Sequence, residues 1–234
     1  MKSIYILTKR ELSTFFSSPL AYITLAVFLL LNGWFFTAPL FIVNTATLDS
    51  LFNTIPLIFI VIIPAITMGS VAKEKSTDTV ELLVTMPITK TEIIISKFIS
   101  CLIFVIVGLF FTGVHFATIV ALGDNIDYGQ IVISYISLVV LAGFYTSIGI
   151  FASTLSKNQI IAFLFAFVIN FFFFIVTRIT LFFPQMIGDL FLFLGVEYHL
   201  SNMLRGVLDT RDLIYFLSFI ILFLRLAQNQ LKRI

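Results

Sequence analysis

Seven charged side chains fall within Lys73–Glu92, a segment between two long apolar runs that reads KEKSTDTVELLVTMPITKTE. Asp78 followed by Glu81 has the spacing of a helix capping box, and Thr89 followed by Glu92 repeats it. The first box predicts a short helix, and the second predicts a helix that continues into the next apolar run.

The short helix, predicted from Asp78 to a corner at Pro87, offers surface for docking rather than for catalysis. Val80, Leu83 and Val84 share one of its faces, and apolar side chains left exposed usually mark a partner surface. The alternative is a capped loop that is only solvated. Because two capped helices lie so close together, the pattern favours an interface with a soluble partner.

Two polar side chains lie inside apolar runs, where an ionisable group is by default a functional hypothesis. His115 has no carboxylate partner in any apolar run, so the sequence favours packing for it. Asn170 is expected to form a hydrogen bond to a neighbouring helix. The single cysteine, Cys101, has no second cysteine with which to form a disulfide.

A metal site could begin with Glu197 and His199, with Asp189 as a third ligand. This spacing matches no known ligand pattern, so hydrogen bonding is the favoured role of the three residues. A second polar group is expected to form a salt-bridged exoplasmic cap over the last apolar run. Its members are Arg205, Asp209, Arg211 and Asp212.

The sequence contains none of the short motifs that carry catalysis or nucleotide binding: no G-x-x-x-x-G-K-[ST], H-E-x-x-H or G-x-S-x-G occurs. We therefore predict no catalytic residue, no metal and no cofactor bound by this chain. A membrane-embedded enzyme would need several ionisable groups at one depth, and only His115 lies deep.

Composition places the chain in the membrane class, with 60% hydrophobic and 11% charged residues among 234. A soluble domain of this length could not bury so much apolar surface, and about 20 apolar residues cross a bilayer. The 29 phenylalanines are expected to fill lipid-facing surface. Six spans are predicted, at Leu20–Leu40, Leu51–Ala72, Phe98–Leu122, Ile131–Leu155, Gln159–Val176 and Leu213–Ala227.

Charge asymmetry predicts the orientation of these spans. With the N-terminus inside, eleven of the 14 basic residues fall in inner segments and three fall outside. This distribution satisfies the positive-inside bias, and the opposite orientation violates it. Both ends of the chain are therefore expected on the cytoplasmic side. The segment Thr177–Asp212 is expected to form short interfacial or re-entrant helices.

The segment Ser3–Ser18 is predicted to form a helix that lies on the membrane and ends before Pro19. Its apolar side chains are expected on one face: Ile4, Tyr5, Leu12, Phe15 and Phe16. The opposite face is expected to carry Lys9, Arg10, Ser13 and Ser17. The alternative is an ordinary basic flank that only sets the topology.

Five segments of the chain, in order, resemble those of ABC type-2 exporter permeases. The central segment is similar to the family's coupling loop, E-x-x-x-G-T-x-E-x-L-L-x-x-P, at Glu74, Thr79, Glu81, Leu82, Leu83 and Pro87. Aspartate stands at Asp78 where the family has glycine, so the turn cannot rely on glycine's backbone freedom. An N-capping aspartate is the expected substitute.

The other four similar segments are distributed along the rest of the chain. The first resembles the family's elbow helix, which here contains Lys9, Arg10, Glu11, Phe15, Phe16 and Pro19. The next three are Ile63–Met68, Ala152–Gln159 and Arg205–Phe216. The last segment points to the gliding-motility-associated permease group, which is also similar to permeases that serve copper-enzyme maturation. Leu200 and Met203 stand where that group has aromatic residues.

The resemblance implies an all-α polytopic membrane protein with a single permease domain, residues 1–234. It would have six transmembrane helices, an elbow helix, a cytoplasmic coupling helix and short exoplasmic helices before the last span. A separate cytosolic ABC ATPase, holding ATP and Mg²⁺, would bind the coupling residues. These are Lys73, Glu74, Asp78, Thr79, Glu81, Leu82, Leu83 and Pro87.

The implied partners also include a second permease subunit, identical or different, and membrane lipid, but no nucleic acid. The expected location is the bacterial cytoplasmic (inner) membrane. The expected function is to couple ATP hydrolysis by the partner to export or to mechanical work of the gliding-motility type. A membrane scaffold that drives an ATPase-powered machine without transport remains the alternative.

Overall fold

A computed structural model describes residues 2–42, 47–78, 88–122, 126–180 and 183–231 of the chain. Within these ranges the fold is all-helical, and the regular elements are eleven helices. They are α1 Lys2–Phe16, α2 Pro19–Ile42, α3 Asp49–Thr67, α4 Gly69–Ser76, α5 Lys90–Phe111, α6 Gly113–Leu122, α7 Tyr128–Leu155, α8 Gln159–Ile179, α9 Gln185–Leu194, α10 Val196–Leu204 and α11 Thr210–Leu231.

Two of the predicted spans are each built from two helical pieces. α3 and α4 are separated only by Met68, whose backbone stays helical (φ −53°, ψ −36°). α5 and α6 are separated by Thr112, which is also helical (φ −68°, ψ −12°). α3 passes through Pro56 and Pro64 without interruption. The α3–α4 break thus falls four residues after Pro64 and not on a proline, and the α5–α6 break has no proline near it.

The start of α5 follows the predicted local rule. The side chain of Thr89 accepts a hydrogen bond from the backbone N–H of Glu92, and the Glu92 carboxylate accepts one from the backbone N–H of Thr89. This reciprocal pair satisfies N–H groups that a helix N-terminus leaves without partners. The helix therefore begins well before the predicted span at Phe98.

α7 lies at the centre of the bundle and packs against α3, α5, α8 and α11. Phe144, fully buried on α7, packs edge-to-face against Phe173 of α8 and against Phe216 and Phe219 of α11. Aromatic pairs of this kind stabilise a core beyond the area they bury. The expectation that phenylalanines serve as lipid-facing filler is thus wrong for this cluster.

Helices α3 and α7 approach closely because α7 carries Gly149. A Cβ atom placed on Gly149 would lie 2.1 Å from the Oγ1 atom of Thr67, well inside contact distance. Four residues later, the Ser153 hydroxyl accepts hydrogen bonds from the backbone N–H groups of Val71 and Ala72, both at 3.0 Å. It donates one to the Met68 carbonyl at 2.9 Å. α7 thus holds the α3–α4 break in place.

Contacts between chain segments sort the loops into two ends of the bundle. At one end, which we call the elbow end, α1 packs on α5, α4 meets the end of α7, and the start of α5 meets the end of α11. At the other end, which we call the cap end, Gln130 at the start of α7 contacts Asp49 and the carbonyl of Leu204. The chain alternates between these ends, as successive membrane spans must.

Five helical segments are long and apolar enough to cross a membrane: Pro19–Ile42, Asp49–Ser76, Lys90–Leu122, Tyr128–Leu155 and Gln159–Ile179. They make the chain a multi-pass membrane protein. Thr210–Leu231, which contains the sixth predicted span, is not among them. Its 22 residues would nevertheless extend about 33 Å, and it packs on α5 and α7. The sixth crossing therefore stays a prediction.

α1 forms as predicted, but the assignment of its faces was partly wrong. Leu7 and Thr8 are buried, whereas Tyr5 is 70% exposed and Ile6 is 64% exposed. The physical reason is that α1 packs on α5, and this contact selects the face that carries Leu7 and Glu11. The periodicity alone could not identify a neighbouring helix.

Candidate functional site

A buried lysine at the elbow end joins three helices. The Nζ atom of Lys97 on α5 lies 2.7 Å from a carboxylate oxygen of Glu74 on α4 and 3.2 Å from one of Glu11 on α1. The Lys97 side chain is 2% exposed, the Glu11 side chain is 16% exposed and the Glu74 side chain is 20% exposed. We call these three residues the elbow triad. Arg10 adds a more exposed ion pair to Glu11 at 3.0 Å.

The triad satisfies a strict physical requirement. A buried ammonium group is costly unless it is paired and hydrogen-bonded, and removing one partner of a buried pair is more damaging than never having formed it. The charges therefore specify how α1, α4 and α5 sit together. Glu11 and Glu74 were predicted functional residues, whereas Lys97 was counted only as a basic residue on the inner side.

Glu74 of the triad lies shortly before residues 79–87, which we call the docking segment, and Lys97 lies after them. α4 ends at Ser76, and the Lys75 ammonium group donates a hydrogen bond to the Thr154 carbonyl at the end of α7. Together with the bonds from Ser153, this contact fixes α4 to the centre of the bundle.

The backbone of Asp78 differs from the ordinary N-cap conformation that the sequence predicts. Its φ angle is 52°, in the left-handed region that favours glycine. Aspartate is among the non-glycine residues that tolerate this region best. The Asp78 carboxylate lies 3.6 Å from the ammonium group of Lys157 in the α7–α8 turn. Both side chains are largely exposed.

Most of the predicted coupling residues lie outside the described part of the chain. Residues 79–87 belong to none of the described ranges, and these include Thr79, Glu81, Leu82, Leu83 and Pro87. Lys73 is described and is exposed. On the far side of the segment, the Lys90 ammonium group donates to the Leu231 carbonyl at 2.9 Å. The segment is thus flanked by contacts to α7 and α11.

At the cap end, His199 makes two hydrogen bonds that the sequence did not predict in detail. Its Nδ1 atom lies 2.7 Å from an oxygen of Asp212, and its Nε2 atom lies 2.9 Å from the Phe193 carbonyl oxygen. The ring stacks on Tyr215 with centroids 4.0 Å apart. His199 is 1% exposed and Asp212 is 4% exposed. The contact fixes α10 against α11.

The predicted salt-bridged cap is therefore wrong in its pairing. Asp212 pairs with His199 because it points into the α10–α11 contact and not towards solvent. Asp209 instead accepts a hydrogen bond from the backbone N–H of Arg211 at 2.9 Å. Within the described ranges, neither Arg205 nor Arg211 forms an ion pair.

The three metal-ligand candidates have other positions. Glu197 binds the guanidinium group of Arg178 through two hydrogen bonds, at 2.6 and 3.0 Å. His199 is paired with Asp212, and Asp189 is exposed on α9. No group of three potential ligands occurs among the residues that the structure describes. For Glu197 and His199, the hydrogen-bonding role favoured by the sequence is the one observed.

The two polar residues in the spans differ from each other. The His115 ring stacks on Phe36 with centroids 4.6 Å apart, which agrees with the packing role. Asn170 is fully buried, and neither atom of its amide has a hydrogen-bond partner in the described chain. The expected interhelical hydrogen bond is thus not observed for Asn170.

Comparison with known protein families adds an independent finding. The model of the family described as "ABC-2 family transporter protein" matches residues 35–205, which are 171 of the 234 residues. The match includes the docking segment and both of its flanking helices, α4 and α5. A search of curated proteins found no match.

Proposed function

This chain belongs to the ABC-2 family of transporter proteins, and we propose that it couples ATP hydrolysis by a separate cytosolic ABC ATPase to movement within its own helices. Membership makes the chain a permease subunit of an ABC transporter and not the ATPase itself. In our proposal, the ATPase binds residues 79–87, with Lys73, Glu74 and Asp78 at the start of the interface. ATP and Mg²⁺ reside in the partner.

The elbow triad is the observation that best supports this proposal. A docking segment can move a bundle only if its attachments are stiff, and the triad attaches the helix before the segment, α4, to both α1 and α5. The helix after the segment, α5, is capped at Thr89 and bonded to the end of α11 through Lys90. A displacement of the segment would thus be transmitted to several helices and not absorbed by a loose loop.

The route from the segment into the membrane runs along two paths. The first passes from α4 through the Ser153 and Thr154 contacts into the central helix α7. The second passes along α5, which is continuous from the cap at Thr89 to Phe111. Because interfaces of packed helices switch between discrete arrangements, a shift at the elbow end can change the packing at the cap end.

We place the elbow end on the cytoplasmic side of a bacterial inner membrane, with both ends of the chain inside and α11 as the sixth span. Its basic residues support this orientation under the positive-inside bias. A second permease subunit, identical or different, would pack on the exposed face of α8, which is buried over only 33% of its most apolar stretch. The exposed face of α2, buried over 17% of its stretch, is left to lipid.

The proposed output of the complex, export or mechanical work, rests on sequence resemblance. Arg205–Phe216 resembles the gliding-motility-associated permeases, so the proposed output is export or mechanical work of that type. In the mechanical version, the bundle would transmit force to other envelope components and would need no continuous polar path. Measuring transported species and ATP hydrolysis together distinguishes the two outputs.

The test is a charge reversal in the docking segment. Glu81→Arg should weaken binding of the ATPase by about 2–5 kcal/mol, because a charged contact at a partly desolvated interface becomes repulsive. The control is Asp189→Arg, the same kind of reversal on an exposed residue of the cap end. Binding is measured by titrating the purified ATPase onto the permease in nanodiscs. Equal affinities for wild type and Glu81→Arg would overturn the docking assignment.

A further inference from the structure

A cavity of about 520 Å³ lies between α1, α2, the α3–α4 break and α5 at the elbow end. This volume is within the ~300–1,000 Å³ typical of ligand pockets. One end of its wall is charged and is formed by Arg10, Glu11, Lys73, Glu74 and Lys97. We call this cavity the elbow pocket.

The charged end of the elbow pocket has an excess of positive charge. Lys97 binds the carboxylates of both Glu11 and Glu74, so these anions are already paired. Arg10 is about half exposed and shares one guanidinium nitrogen with Glu11. Lys73 is exposed and forms no ion pair within the described ranges. Three cations against two carboxylates leave this end with a net charge of +1, and Lys73 and the exposed part of Arg10 can face an anionic group.

The other end of the elbow pocket is apolar and reaches the outer surface of the bundle. Phe15, Ala65 and Phe104 line it, and Phe104 is only 1% exposed. Leu20 also lines it and is 51% exposed. Leu20 begins a run of exposed apolar residues on α2 that continues with Tyr22 and Ile23. Since α2 is a membrane span, the pocket is continuous with the lipid-facing surface.

We propose that the elbow pocket binds one membrane phospholipid. Its phosphate lies at Arg10 and Lys73, and part of one acyl chain lies against Phe15 and Ala65. Basic side chains form charge-assisted hydrogen bonds with phosphate oxygens, and basic pockets between membrane helices are known to bind anionic headgroups. The bound lipid braces α1 against α2 and α5. This site goes beyond the proposed function and does not depend on an ATPase.

The test uses phosphatidylglycerol with a photoreactive diazirine in the middle of one acyl chain, added to membranes that contain the full-length protein with its native partners. Illumination followed by peptide mass spectrometry should find the label on α1 near Phe15 and on α3 near Ala65. Both residues line the pocket and are only partly exposed, so lipid that merely surrounds the bundle should label the exposed α2 residues instead. Label confined to exposed α2 residues such as Tyr22 would overturn the proposal.

A filled-pocket variant supplies the second arm. Ala65→Phe should reduce labelling of α1 near Phe15 by roughly tenfold, equivalent to about 1.4 kcal/mol of binding. The control is Ala26→Phe on α2, an exposed position outside the pocket, which should leave the labelling unchanged. An equal loss in both variants would contradict the assignment.

The headgroup is tested separately with wild-type protein, which avoids any effect of a substitution on folding. Unlabelled phosphatidylglycerol should compete with the α1 label more strongly than unlabelled phosphatidylcholine, because only the former has a net negative charge for Arg10 and Lys73. Equal competition by the two lipids would contradict the proposed contacts of the phosphate.

Discussion

At the scale of single residues, Lys97 is the buried charge that depends most on its ion-pair partners. It is the only cation within ion-pair distance of Glu74 among the described residues, and it also holds Glu11. Lys97→Met should destabilise the protein by about 3–5 kcal/mol, because two partly buried carboxylates would lose their shared cation. Thermal unfolding in detergent measures the change, with loss of the monodisperse species as the signal.

The control for Lys97→Met is Lys157→Met, which removes an ion pair whose side chains are 75% and 81% exposed. Exposed pairs contribute little, so its melting temperature should stay near that of wild type. The triple variant Lys97→Met, Glu11→Gln and Glu74→Gln should recover much of the loss. A single variant as stable as wild type would contradict the role of the elbow triad.

His199 supports a second prediction at this scale. His199→Leu should destabilise the protein by about 3 kcal/mol, because the Asp212 carboxylate would stay buried without its partner. Adding Asp212→Asn should restore part of the stability by removing the buried charge. The neighbouring substitution Tyr198→Leu, at a position 40% exposed, is the matched control. Thermal unfolding of the three variants tests the pair, and no rescue by Asp212→Asn would argue against it.

Local residue patterns predicted some of these sites but not others. The capping box of Thr89 and Glu92 is a short-range rule, and it holds in the structure. The elbow triad joins residues 11, 74 and 97, so it depends on how three helices pack. No spacing in the sequence encodes that contact, although a lysine inside a predicted helix near an apolar run was a signal that it needed carboxylate partners.

At the scale of helices, the crossing of α3 and α7 determines how tightly the core closes. Gly149→Ala should destabilise the protein by about 1–3 kcal/mol, because the added methyl group would overlap Thr67. Gly113→Ala is the control, since a Cβ atom there meets nothing within 4 Å. Adding Thr67→Gly to the Gly149→Ala variant removes the side chain that the new methyl group overlaps, so it should restore stability in part. A neutral Gly149→Ala would contradict the close crossing.

The helices were predictable from hydropathy, because long apolar segments bounded by turn residues leave few alternatives. Hydropathy is averaged over a whole segment, so it misses two features that the structure shows. The second span divides at Met68, where Ser153 from another helix satisfies the backbone, and the face of α1 is chosen by α5. Partner helices decide both features, and a single-sequence pattern does not contain them.

At the scale of the whole molecule, the alternation of elbow end and cap end predicts which loops face the cytoplasm. In a Cys101→Ser background, Lys157→Cys should react with a membrane-impermeant maleimide only after cells are opened. Asp189→Cys should react in intact cells when the outer membrane is made permeable. The reverse pattern would contradict the positive-inside assignment.

The architecture places every lysine of the described chain at the elbow end, while the basic residues of the cap end are arginines. A lysine-reactive cross-linker therefore reports on the proposed docking surface. Lys73, Lys75 and Lys90 flank the segment 79–87, whereas Lys9 lies on α1 and serves as an internal comparison.

Lysine cross-linking with mass spectrometry, applied to the complex purified from native membranes, tests the central claim most directly. The account predicts an ABC ATPase in the complex, with cross-links from its surface to Lys73, Lys75 or Lys90 that disappear in Glu81→Arg. A complex without any ABC ATPase, or an ATPase linked only to Lys9, would contradict the claim that this segment receives the force of ATP hydrolysis.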